Sequence, residues 1–128
     1  MPLGEQSKVL LDTSILLAVQ ENRARVFEGI KKMLGKVEFF VPSSVTRELE
    51  IVGSRKGKKQ AYIIARKVIE ENKVREIEDQ NLNADEFLAE HARKGFIVAT
   101  NDSALKKRIK GFGGRIIYLK KGTLIEIE

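Results

Sequence analysis

The chain alternates short, continuous apolar runs with longer segments that carry apolar residues at helical spacing, and this alternation limits the folds open to it. The runs are Lys8-Val9-Leu10-Leu11-Asp12, Glu38-Phe39-Phe40-Val41, Phe96-Ile97-Val98-Ala99-Thr100 and Arg115-Ile116-Ile117-Tyr118-Leu119, with a weaker one at residues 74–77. A strand with one wet face alternates apolar and polar residues; these runs do not, as burial on both faces requires. Helical segments follow them. Residues 15–19 lead into one, and Ser43 or Ser44 is placed to cap another that runs through Glu50 or beyond. Residues 61–72 form a third. Asn83 with Glu86 three residues later is a capping-box-like arrangement for a fourth, ended by Gly95, and Asn101-Asp102-Ser103 opens a fifth that runs to about Lys110. Strands alternating with helices predict an α/β fold, a parallel sheet with helices on both faces. Residues 123–127 add a short edge strand.

At 128 residues the chain has the length of one domain, spanning 1–128. Its 42% apolar and 33% charged residues are those of a globular protein, not a disordered one. It has no cysteine, which excludes disulfide scaffolds, zinc fingers, iron–sulfur ligation and a thiol nucleophile together. No apolar stretch approaches the roughly 20 residues of a membrane span, and residues 1–6 lack the basic and apolar regions of a signal peptide. The expectation is a cytoplasmic protein in a reducing compartment, with no membrane partner. Lys and Arg number 24 against 18 Asp and Glu, and the net charge of +6 leans toward polyanions such as nucleic acid or an anionic membrane surface.

In an open α/β sheet, ligands sit beyond the carboxyl ends of the strands. Acids fall there. Asp12 closes the first run, Asp102 follows Ala99-Thr100-Asn101, Glu48 lies in the first turns of the helix after the second run, and Asp85 lies in the first turn of the Asn83 helix. At about 3.6 residues per turn, Glu48 borders the Val45, Leu49, Val52 stripe while Glu50 points away. Asp85 likewise borders the Ala84, Leu88, Ala92 stripe, and Glu86 faces outward. Taken singly, each acid reads as a helix cap or a solvated side chain. Four carboxylates converging on one edge would repel one another unless a cation neutralised them. With one histidine and no cysteine, the ligands would be hard oxygen, which suits Mg²⁺ or Mn²⁺. A carboxylate-held metal beside a basic surface is the chemistry of phosphodiester hydrolysis.

Leu11-Asp12-Thr13-Ser14, Thr46-Arg47-Glu48-Leu49, Asn83-Ala84-Asp85 and residues 99–108, continuing through Gly113 and Ile116-Ile117-Tyr118-Leu119, resemble the PIN-domain family from Val9 to about Leu119. The last segment is most similar to archaeal PIN proteins related to nucleases that process the small ribosomal subunit RNA. The resemblance implies a PIN-like α/β/α sandwich, with a five-stranded parallel sheet of order 3-2-1-4-5. It also implies metal-dependent endoribonuclease activity with Mg²⁺ or Mn²⁺, in RNA processing or as a toxin. Asp12, Glu48, Asp85 and Asp102 fall on the family's acidic positions and Thr100 on its Ser/Thr position. Implied partners are RNA and an antitoxin or a processing complex, with a homodimer also compatible. Thr13 and Asn101 receive no role at this level.

The basic cluster Arg55, Lys56, Lys58 and Lys59, in an expected mobile loop over Gly53–Lys59 with glycines at 53 and 57, is the candidate RNA-backbone contact; a solvated loop is the plain alternative. Lys106, Lys107, Arg108 and Lys110 form a second basic stretch. His91 reads as a structural or surface residue, and Phe39, Phe40, Phe96 and Tyr118 as core. Two rival functions stay open. A non-catalytic RNA- or protein-binding module could keep the same fold. A phosphate-accepting receiver domain would need paired acids after the first strand, where Leu10-Leu11-Asp12 carries one.

Overall fold

The computed structural model describes residues 6–21, 25–79, 83–121 and 124–128, without the side chains of residues 19–21. Residues 1–5, the side chain of Val19 and Thr123, the first residue of the expected edge strand, lie outside the described residues.

Five strands, β1 (Ser7–Leu11), β2 (Val37–Pro42), β3 (Arg75–Ile77), β4 (Ile97–Ala99) and β5 (Ile116–Lys120), pair in parallel in the order 3-2-1-4-5. The strand β6 (Leu124–Ile127) adds to β5 antiparallel, with Tyr118 opposite Glu126. The expected sheet is therefore present, together with the short extra C-terminal strand. Helices α1 (Thr13–Glu21) and α2 (Val26–Leu34) connect β1 to β2, and α3 (Ser43–Gly53) and α4 (Lys59–Glu71) connect β2 to β3. α5 (Ala84–Arg93) leads into β4 and α6 (Ser103–Gly111) into β5.

Strand alternation divides the core in two, since successive side chains point to opposite faces. Val9, Leu11, Phe39, Val41, Ile97, Ala99 and Ile117 pack against Ile15, Ile30, Val45, Leu49 and Ala65 of α1 to α4. Leu10, Phe40, Val98 and Ile116 pack on the other face against Phe87, Leu88, Leu105 and Ile109 of α5 and α6. Both faces are covered, which is why the runs carry no polar alternation.

Three local expectations change. Ser43 and Ser44 do not cap α3 with their side chains: the strand runs through Pro42 directly into the helix, with Ser43 as its first residue. The open helix end is met instead by Asp79, beyond β3, which accepts from the Ser44 amide at 2.8 Å and the Ser43 hydroxyl at 3.0 Å. The basic connection is shorter than expected, because Gly53 still belongs to α3 and Lys59 already to α4. A Cβ on Gly53 would lie 2.5 Å from the Tyr62 ring, so glycine lets these two helices close on each other. Finally, α2 has no counterpart in the sequence reading.

Candidate active site

The chain builds β1, β2 and β3 toward one side and then places β4 on the other side of β1. The crevice beyond the carboxyl ends of β1 and β4 is thus the switch point where such sheets bind ligands. Leu11 pairs with Ala99, so the next residues, Asp12 and Thr100, emerge side by side.

Asp12 is nearly buried, 7% exposed, and both its carboxylate oxygens accept hydrogen bonds. Oδ1 accepts the Thr13 amide at 2.8 Å; Oδ2 accepts the Thr100 hydroxyl at 2.6 Å and the Ser14 hydroxyl at 3.1 Å. Burial pushes the Asp12 carboxyl up, the bonds from Thr100, Thr13 and Ser14 pull it back in part, and nearby Glu48 adds to the rise. Thr100 in turn accepts the Asp102 amide at 3.1 Å, and Ser14 accepts the Asn101 amide at 2.9 Å. Asn101 receives a role here, since its side-chain oxygen accepts the Leu119 amide at 2.9 Å and ties the exit of β4 to β5.

Around this buried carboxylate stand exposed ones. Glu48 on α3 accepts the Thr13 hydroxyl at 2.8 Å, which aims it at the end of β1 and gives Thr13 its role. Asp85, in the first turn of α5, has its carboxyl pushed up by burial and then by the charges of Asp12 and Asp102, with Arg108 opposing. Asp102 caps α6, its Oδ1 accepting the Leu105 amide at 2.8 Å, and so combines the ordinary role with a place at the site. Asn83, Asp85, Glu86, Arg108 and Glu48 line one groove. Arg108 reaches it from α6 and is held by a two-pronged bond to Glu86, at 2.8 and 3.0 Å. Glu86 therefore faces Arg108 and holds a cation beside the acids.

Asp12, Asp85, Asp102 and Glu48 thus share one field, and Thr100 supports two of them. Among the described residues, no three acids or histidines are gathered tightly enough to hold an ion by themselves. The donor chemistry nonetheless suits a hydrated ion: it is all oxygen, and the raised Asp12 and Asp85 carboxyls carry a repulsion that a cation would relieve. Mg²⁺ keeps several waters and takes one or two carboxylates, so a loose set fits it better than a closed cage.

Arg55, Lys56, Lys58 and Lys59 are all exposed, in the α3–α4 connection and the start of α4. His91 is structural: its ring stacks on Phe87 at 4.0 Å between centroids, and its Nδ1 lies 3.0 Å from the Phe87 carbonyl oxygen. Phe39 and Phe40 are buried, whereas Phe96 and Tyr118 are only half-buried. Sequence reasoning missed Asp79, whose buried carboxylate lies outside every motif. An acid two residues past a weak strand was its only signal.

Residues 9–122 match the family model described as a PIN like domain. The chain is 36% identical over 131 residues to Ribonuclease VapC9 of Archaeoglobus fulgidus, with 98% of this chain and 94% of that one covered. Among solved structures it is similar to the PIN domain endonuclease Utp24, with a TM-score of 0.79, 24% identity, and 99% and 95% of the two chains covered. A domain of a functionally unknown protein from Methanocaldococcus jannaschii gives a TM-score of 0.63 at 20% identity, covering 89% of this chain and 91% of that one. The two structures bear on the fold alone. With the expected sheet order, the acids at its switch point and a match along nearly the whole chain, the protein belongs to the PIN-like domain family.

Proposed function

We propose that this protein is a divalent-metal-dependent endoribonuclease. The observation that carries the reading is the mutual charge among the acids of the site: Asp12 and Asp102 add to burial in raising the Asp85 carboxyl, and Glu48, drawn in by Thr13, adds to the rise of Asp12. The name and near-complete coverage of Ribonuclease VapC9 support it. Asp12, Asp85 and Asp102 would hold Mg²⁺ or Mn²⁺, with Glu48 completing the set. When bound, the ion supplies acidified water and offsets charge on the scissile phosphate.

The remaining work falls to the chain itself. Thr100 and Ser14 fix one Asp12 oxygen, leaving the carboxylate no freedom to turn away. Thr13 holds Glu48 toward the same point. Arg108, kept in place by Glu86, offers a planar guanidinium to a backbone phosphate next to the acids. Arg55, Lys56, Lys58 and Lys59 would meet phosphates farther along, as flexible cations do without reading sequence. RNA is the substrate in this reading, within RNA or rRNA processing or as a toxin whose partner is an antitoxin; a processing complex or a second copy of the chain are the other partners it allows.

Purified protein incubated with structured and unstructured RNA over a Mg²⁺ and Mn²⁺ series tests the proposal. Metal-dependent endonucleolytic products are expected. Absence of cleavage, with no metal-induced rise in melting temperature, would instead support a non-catalytic RNA- or protein-binding module.

A further inference from the structure

The carboxyl edge of the sheet is acidic; the amino edge is its opposite. Each parallel strand is entered through a cation. Lys8 lies in β1, Lys36 just before β2, Lys73 and Arg75 at the start of β3, Lys94 before β4 and Arg115 just before β5. The strand order sets them in one row: Lys73 with Arg75, then Lys36, Lys8, Lys94 and Arg115. All six are exposed. At about 4.8 Å between neighbouring strands, the row spans roughly 19 Å.

Two adjoining grooves run along it, with Gln6 common to both. One is lined by Lys8, Lys94 and Arg115 and, among the described residues, has no acid in its wall. The other is lined by Lys31, Lys73 and Arg75, with Glu38 as its acid, 3.7 Å from Arg75. Among the described residues, Lys36, Lys73, Lys94 and Arg115 make no ion pair. Cations left unneutralised in a row are held apart only by solvent, and a polyanion laid along them would release their counterions.

We propose that this amino edge is a second binding surface, which takes the phosphate backbone of a single RNA strand at a distance from the acid site. An interface with a protein would be built around buried aromatic or aliphatic anchors. Among the described residues, the exposed large apolar ones, Met33, Ile51, Ile63 and Leu124, line neither groove. The Phe96 ring is already engaged, edge-on to Phe40 and His91 and under the Lys8 ammonium. Periodic charge without an anchor suits a phosphate chain, whose binding needs no shape match. Along β1 the four residues from Lys8 to Asp12 separate this row from the nearest acid by roughly 13 Å, so it contacts RNA away from the scissile bond. The choice of RNA as the polyanion rests on the nuclease reading; the surface rests on the row of cations.

The test is the variant Lys73→Asn/Arg75→Gln/Lys94→Gln/Arg115→Gln. Asparagine suits position 73 because its φ is 53°, a conformation that asparagine tolerates. Binding of a labelled single-stranded RNA 20-mer is measured in chelator over a salt series, which removes cleavage from the reading. The expected result is a tenfold or greater loss at low salt, with the salt dependence shallower by about 0.7 for each lost contact. With Mg²⁺ or Mn²⁺, cleavage of a tetranucleotide stays at the wild-type rate. Unchanged affinity and slope would overturn the proposal. So would an equal loss on the tetranucleotide, or a variant that loses polyglutamate while keeping RNA, which would point to an acidic protein. A wild type that binds through this row yet never cleaves would overturn the nuclease reading and leave this surface standing.

Discussion

Thr100 and Asp12 stand 88 residues apart in sequence and are joined by a 2.6 Å hydrogen bond from the Thr100 hydroxyl to Asp12 Oδ2. The same hydroxyl accepts the Asp102 amide, so one oxygen fixes both the acid after β1 and the start of the segment after β4. This follows from the parallel register, which sets Leu11 against Ala99 and leaves the next two residues adjacent.

Thr100→Val keeps the volume but removes that oxygen. A part-buried Asp102 amide and a buried Asp12 oxygen would each lose a partner, at a cost of about 1–3 kcal/mol for the buried one. Urea denaturation should report that loss and RNA cleavage should fall with it. Thr100→Ser, which keeps the hydroxyl, should restore cleavage more fully than stability.

Asp85 opposes the fold when no cation is present. Burial and the charges of Asp12 and Asp102 raise its carboxyl, so the folded chain holds a proton that the unfolded chain releases. Stability therefore falls as pH rises from the usual carboxylate range through the raised folded value. Asp85→Asn should raise the melting temperature of the metal-free protein at neutral pH and shrink the further rise on adding Mg²⁺ or Mn²⁺. A metal-free variant no more stable than wild type would contradict the repulsion.

Asp79 works in the other direction. Burial pushes its carboxyl up, but bonds from Ser44, Ser43 and Arg47 outweigh this and hold it below the usual range. Its contribution is present above the unfolded value, near 3.9, and is lost as pH falls through the folded one. Asp79→Ala strips the Ser44 amide of its partner at the head of α3 and should cost about 1–3 kcal/mol at neutral pH. Part of the wild-type decline in stability below about pH 4 should vanish in this variant, as read from melts over a pH series.

The sequence carried the sheet because both faces are buried: the apolar runs admit few other structures. The acids Asp12, Glu48, Asp85 and Asp102 were legible because strand ends and helix stripes place them. Side-chain partners were not. That Thr13 holds Glu48 and that Asp79 replaces Ser43 as the cap of α3 both depend on contacts more than 30 residues apart in sequence, 35 and 36 respectively. Pattern within one element carries no information about such pairs. The helix α2 was missed although Val26, Phe27 and Ile30 are buried at helical spacing. Glu86 illustrates the same limit: helical phase turns it outward, yet it lines the groove beside Asp85 and is the less exposed of the two, because the packing of α6 on α5 brings Arg108 to meet it.

Arg108 gives a fourth test. Replacing it with alanine frees Glu86 and removes the cation nearest Asp85, so the groove becomes more repulsive to phosphate. KM for RNA should rise several-fold, more than kcat falls. Arg108→Lys, which cannot make the two-pronged bond to Glu86, should recover only part of the loss. An unchanged KM in the alanine variant would assign this ion pair to the packing of α5 against α6.

Metal-dependent RNA cleavage by wild type beside Asp12→Asn and Asp102→Asn tests the central claim most directly. Asparagine preserves the shape of both side chains and caps α6 as well as aspartate does, so both variants should fold. The account predicts cleavage by wild type in Mg²⁺ or Mn²⁺, none in chelator, and a loss of about 100-fold or more in each variant, the scale set by removing one strongly placed charge at a reacting phosphate. Equal cleavage by all three proteins would contradict it.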